Sequence, residues 1–297
     1  MVVIMNLVPV QFPNEQEVFD QMCGFAYTSL ESPLSKVQYR SNYNSWKNFC
    51  QENNIGVISS LNIRDIDIYI RSLTSKSGEN ATKVTRRSHY SALKLLLRTG
   101  TTYFPQQFSM HYSALLAYKV PYDGTSASTR IKTALTFDEL KLFLEFYRNG
   151  NDLESIRNAA IISLLASTAM REAECARVEW DCFNENYTTV HIRKSKGNKQ
   201  HVAAVIEAFG CQEDMYAWAN ATHGLSKYVF IGLNSAGTDI LYKKAAYPIT
   251  SQSIKMVVAK ASKAIGIYAS PHTFRRTFVT LADKVGVARE DIQAQGN

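Results

Sequence analysis

The sequence holds only five cysteines, Cys23, Cys50, Cys175, Cys182 and Cys211, an odd number, widely spaced and without a CxxC pair. That distribution argues against a disulfide framework and against a zinc ribbon, and it fits a reducing compartment. No cluster of His, Cys or carboxylate residues has metal-ligand spacing, so no metal and no other cofactor is expected. The longest apolar run, residues 158–170, falls short of the roughly 20 residues a membrane span needs. The apolar start, residues 1–12, lacks the basic flank and small-residue cleavage site of a signal peptide. Internal repeats and low-complexity tracts are also missing. Together these absences predict a soluble cytoplasmic protein with no membrane partner.

What is present is the composition of a folded protein on a chain long enough for two domains: 297 residues, 45% hydrophobic and 20% charged. Lys and Arg number 33 against 26 Asp and Glu, a formal charge of +7, whose sign favours an anionic partner such as nucleic acid.

Residues 15–120 read as a run of helices. Val37, Arg40, Tyr43, Trp46, Phe49 and Cys50 recur every three or four positions, which predicts a helix capped by Ser35 and ending near Asn53. Residues 62–73 predict a second helix, although their β-branched content leaves a strand open. Residues 81–97 predict a longer one stopped by Gly100. The stretch 121–133 (PYDGTSASTRIKT) has linker composition and divides the chain into domains 1–120 and 134–297. Beyond it, Thr136 and Glu139 fit a capping box, and 156–170 predicts a buried helix followed by a shorter one over 172–180. Residues 187–192 and 201–206 predict a hairpin turning at Gly197-Asn198. Further helices are expected over 212–219, 250–264 and 271–286, the last opened by Ser270-Pro271, and a short one near Ala288.

Four features of the second half bear on chemistry. Arg171 has Glu174 three residues on, Lys196 sits at the hairpin tip, and His272 and Arg275 share one face near a helix start. Arginine forks orient phosphate oxygens, and a lysine or histidine can give a proton to a leaving alkoxide, so this set suits a phosphodiester site without metal. Each feature also has a plain structural explanation. Arg171 and Glu174 could be a surface ion pair, Arg193, Lys194, Lys196 and Lys199 a solvated turn, His272 a hydrated helix-start residue, and Arg275-Arg276 an exposed pair.

In order and spacing, LLASTAMREAECARVEWDCF, the basic hairpin with Lys196, and SPHTFRRTFVTLADKVGV resemble the tyrosine recombinase (phage integrase) family. The resemblance implies that Arg171 and Arg275 clamp the scissile phosphate, that Lys196 is the general acid toward the leaving 5′ oxygen, that His272 is an acid/base and phosphate ligand, and that Glu174 orders the site. SNYNSWKNFCQENN and ATKVTRRSHYSALKLLLRTG look like the second and fourth helices of the amino-terminal domain of Cre-type recombinases. From these helices Lys36, Arg40, Lys47, Lys83, Arg86 and Arg87 are the candidate DNA contacts. The implied fold is mainly α, a two-domain C-shaped clamp: an all-helical DNA-binding domain and an α-rich catalytic domain with a small antiparallel sheet. The implied activity is site-specific recombination, as in mobile elements, by a homo-tetramer on double-stranded DNA with inverted-repeat half-sites, in a bacterial cytosol or nucleoid. The family's nucleophile is a tyrosine, and none follows Arg275 here, so it is expected to lie beyond Asn297. Two other readings stay open, a DNA-binding protein without catalysis and a type IB topoisomerase-like enzyme.

Overall fold

The computed structural model describes residues 14–75, 78–121, 134–193, 200–222, 224–241 and 245–296. The chain divides into two compact units, Met1–Thr129 and Arg130–Asn297. Residues 122–133, which include most of the expected linker, lie outside the described residues.

Among the described residues, five helices build the first unit: α1 (Glu15–Thr28), α2 (Pro33–Glu52), α3 (Ile63–Ser72), α4 (Lys83–Tyr103) and α5 (Pro105–Leu116). Side-chain oxygens set several starts, Asn62 accepting from the Asp65 amide at 3.0 Å and Thr82 from that of Thr85 at 3.2 Å. α2 begins earlier than its apolar period implies. Ser32 rather than Ser35 is its N-cap, because Pro33 is preset for the first helical position. α3 is a helix despite its β-branched residues, since Ile66, Tyr69 and Ile70 close one face on the core. Gly100 does not stop α4 but lies inside it. A Cβ there would come within 2.9 Å of the Phe108 ring, so glycine is needed for the close approach of α5. Trp46 centres this core, its Nε1 donating to the Val57 carbonyl at 3.0 Å.

The second unit wraps around one apolar helix. It comprises α6 (Phe137–Arg148), α7 (Leu153–Thr168), the single turn α8 (Glu172–Cys175), β1 (Thr189–Ile192), β2 (His201–Ala204), α9 (Cys211–Thr222), α10 (Ser251–Ile265), α11 (Pro271–Lys284) and α12 (Arg289–Gly296). From Asn158 onward every residue of α7 is buried, and α6, α9 and α11 pack around it. The capping box at α6 is formed in both directions, by Thr136 and Glu139. β1 and β2 are antiparallel, pairing Thr189 with Ala204 and Ile192 with His201, so Val190, Ile192, His201 and Ala203 share one face. The helix expected over 172–180 is shorter: the chain leaves α8 at Ala176 and makes a separate 3-10 turn at Trp180–Cys182.

All five cysteines are buried in these cores, and burial pushes the thiols of Cys23, Cys50 and Cys211 up to about 12.

α6 is fastened to α9 by Arg148. Its guanidinium donates to both Asp214 oxygens, at 2.7–3.2 Å, and to the carbonyls of Phe209 at 2.6 Å and Gly210 at 3.1 Å. Gly210 has φ +64°, and a Cβ there would meet Arg148 Nη2 at 2.8 Å. Arg148→Met keeps the stem but strands the mostly buried Asp214 carboxylate and two carbonyls. Urea unfolding should show a loss of about 3 kcal/mol, and a loss below about 1 kcal/mol would mean the pair is not structural.

Candidate active site

The site is set by how α7 ends. Its last residues are buried, with Thr168 Oγ1 turned back to the Leu164 carbonyl at 2.6 Å. The chain then reverses at Ala169, which is left-handed (φ 54°, ψ 17°). A non-glycine residue in that conformation costs about 1–2 kcal/mol, and such strain persists only where surrounding contacts hold it. One contact is visible: the Ala169 carbonyl accepts from Arg275 Nη1 at 3.0 Å. Two residues on, Arg171 caps α8, and both its backbone N–H (2.7 Å) and its Nη1 (2.8 Å) donate to the Glu174 carboxylate. The Glu174 side chain is only 4% exposed, against 31% for Arg171. The surface ion-pair explanation is therefore corrected: Glu174 is a buried acceptor that fixes a half-exposed guanidinium.

Arg275 comes from α11, where the Ser270 backbone N–H donates to Thr273 Oγ1 at 3.0 Å and Pro271 occupies the first helical position. Arg275 is half-buried and His272, one turn earlier, is exposed. Burial pulls the Arg275 guanidinium below its ordinary value, the Arg171 charge adds to that, and Glu174 opposes it. Arg171 and Arg275, separated by about a hundred residues of chain, thus lie within reach of each other's field. Among the described residues this cluster sets two guanidinium groups against one carboxylate, an arrangement that favours an oxyanion.

Lys196 falls in 194–199, outside the described residues. The base of its hairpin is described: Arg193 pairs with Glu179 at 3.0 Å and with Asp181 at 2.9 Å, so it is anchored there. Sequence reasoning missed His201, treated only as part of a partner strand. The charges of Arg171, Glu174 and Arg275 all act on its ring.

In the first unit the six candidate DNA contacts separate. Lys36 and Arg87 are exposed, and Lys83 is half-buried. Arg40 is exposed above the Tyr27 ring at 5.6 Å and borders an open groove of about 490 Å³ with Ser41, Asn44 and Asn48. Lys47 instead turns to α1, pairing with Asp20 at 3.2 Å. Arg86 is corrected outright: it is 3% exposed, one of the buried residues of α4, with its charge acting on Tyr118. Its position seven residues before Leu93 places it on the buried stripe, which its charge had masked.

Residues 133–297 match the model of the phage integrase family. The chain belongs to that family. A curated relative, the tyrosine recombinase XerC of Listeria innocua, is 24% identical over 259 residues, covering 84% of this chain and 78% of its own length. Among solved structures, the Tn1549 transposon integrase in complex with circular intermediate DNA aligns with a TM-score of 0.64 at 15% identity, covering 94% of this chain and 91% of that one. A lambda integrase tetramer bound to a Holliday junction gives 0.63 at 12% identity, covering 95% and 76%. At such identities the structural likeness establishes the integrase fold. Among the described residues no His, Cys, Asp and Glu cluster could hold a metal ion, and no helix is long and apolar enough to cross a membrane.

Glu174→Gln would test the buried lock in this member of the family. It removes the charge that pairs Arg171 and leaves one acceptor oxygen for two donors. A loss of about 1–3 kcal/mol in denaturant unfolding is expected, and unchanged stability would show that Arg171 does not depend on Glu174.

Proposed function

We propose that this chain is the DNA-binding and phosphate-activating part of a site-specific recombinase that exchanges strands through a 3′-phosphotyrosyl link. The observation that carries the reading is the convergence of Arg171 and Arg275 on the Ala169 turn, with Glu174 fixing Arg171. Two positioned guanidinium groups can hold both non-bridging oxygens of a phosphodiester and stabilise the extra charge of a five-coordinate phosphorus. In the proposed step a tyrosine oxygen bonds to phosphorus and the bond to the 5′ oxygen breaks. The tyrosine proton passes to His272, the proposed acid/base and phosphate ligand, while the departing oxygen takes a proton from Lys196; both transfers run backward in the second step. A 5′ hydroxyl of the exchanging strand then attacks the phosphotyrosine and releases the tyrosine, so the phosphodiester energy is kept and no ATP is consumed. No tyrosine follows Tyr268 in these 297 residues.

Double-stranded DNA with inverted-repeat half-sites is the proposed substrate, and a homo-tetramer the proposed assembly. The exposed Lys36, Arg40 and Arg87, together with Lys83, would contact the duplex, and the reading no longer relies on Arg86 or Lys47. Removing one phosphate contact lowers the slope of log K against log salt by about 1. Fluorescence anisotropy across a salt series should show that drop for Lys36→Ala and for Arg87→Ala, and a salt-independent affinity in the parent would overturn the DNA reading.

The catalytic assignment is tested on the polypeptide its gene encodes, using nicked duplexes carrying candidate repeats. An SDS-stable adduct mapping to a 3′-phosphotyrosine is expected. Arg171→Ala and Arg275→Ala should each cut adduct formation about 10²–10³-fold while duplex affinity changes little. Tight binding without any adduct would instead favour a DNA-binding protein without catalysis, and relaxation of supercoiled DNA of unrelated sequence a topoisomerase.

A further inference from the structure

His201 opens β2 directly opposite Ile192, on the hairpin face that carries Val190 and Ala203 into the core. Its Nδ1 is closed to solvent and has no hydrogen-bond partner among the described residues. β2 packs against α7, whose end carries the arginine cluster, and against α12. The charges of Arg171, Glu174 and Arg275 act on the ring, and the Gln295 backbone hydrogen-bonds it. Gln295 is itself held, its side-chain amide accepting from the Ala204 N–H at 2.9 Å and donating to the Ala204 carbonyl at 2.5 Å. The imidazole is therefore held by the Gln295 backbone within the field of the arginine cluster, with its Nδ1 unused.

We propose that His201 is a positioning residue of the phosphodiester site, neutral when the site is empty and protonated when an oxyanion binds to Arg171 and Arg275. This rests on the reading of those two arginines as the phosphate-binding pair. Burial holds the ring below the ordinary histidine range, and the two arginine charges add to that effect, while Glu174 and the Gln295 backbone act against it. An anion on the guanidinium groups cancels the repulsive part of this field, and Glu174 and the anion itself then favour the imidazolium. The proton comes from solvent, and no bond of the anion is broken. The bound site thereby gains a further positive charge.

Linkage fixes the sign. If the anion raises the His201 midpoint, anion affinity rises as pH falls through the bound-state midpoint and levels off below the free-state one. The test is NMR of the full chain with carbon-labelled histidine, titrated with pH with and without saturating sodium sulfate, and with sodium chloride at matched ionic strength as control. His201→Gln identifies the resonance. Sulfate is expected to raise the His201 midpoint by about one pH unit, and wild type should gain roughly tenfold in sulfate affinity across that window while His201→Gln does not. If sulfate binds through Arg171 and Arg275, as shown by its loss in their alanine variants, and the His201 midpoint stays put, the proposal fails and the two-arginine reading stands. If no sulfate binding depends on those arginines, both fail.

Discussion

The carbonyl of Ala169 is available to Arg275 because α7 ends in a left-handed residue instead of running on. A right-handed continuation would carry that carbonyl along the helix axis and move Arg171 away from α11. The reversal instead sets an acceptor for one arginine two residues before the other, so a single turn fixes both. Glu174 completes it from the next turn of chain, bonding the backbone and the guanidinium of Arg171 at once. The buried run of α7 leads into this turn, with α6, α9 and α11 packed around the helix, and strain such as that at Ala169 persists only where surrounding contacts hold it.

How much of this was legible depends on whether the deciding contact is local. The capping box of Thr136 and Glu139 lies within four residues, and it formed as the sequence implied. The end of α4 was not legible, because what Gly100 provides is room for Phe108, a tertiary requirement that outweighs its helix-ending tendency. The surroundings of Arg86 and Lys47 were not legible for the same reason. One belongs to a buried stripe despite its charge, and the other finds Asp20 on a different helix. In the candidate site, i,i+3 spacing put Arg171 and Glu174 together but could not say that Glu174 is buried. His201 became visible only through strand register, since its neighbours in sequence are not those that surround its ring.

The two units gather charge in different ways. In the first, Lys36, Arg40 and Arg87 are exposed on helix surfaces, where solvent screens them and each, on the proposed reading, would add a salt-sensitive increment to binding. In the second, the cations are half-buried and near one another, where their field is strong and short in range. The first arrangement suits holding a polyanion without great precision. The second suits acting on one phosphate among many.

Placing two guanidinium groups together carries a cost that decides what the site can do. Arg275 is made less willing to stay charged by burial and by Arg171, so the empty site is electrostatically strained. A single buried carboxylate relieves part of that strain. None would leave Arg171 without its orienting partner, and a second would neutralise the cluster and remove its attraction for an anion. With one, the remaining repulsion is released when an oxyanion sits between the arginines, and released further as negative charge builds on it. On the proposed reading, a site strained in this way would stabilise a more highly charged phosphorus better than a resting phosphodiester, which is the difference that catalysis requires.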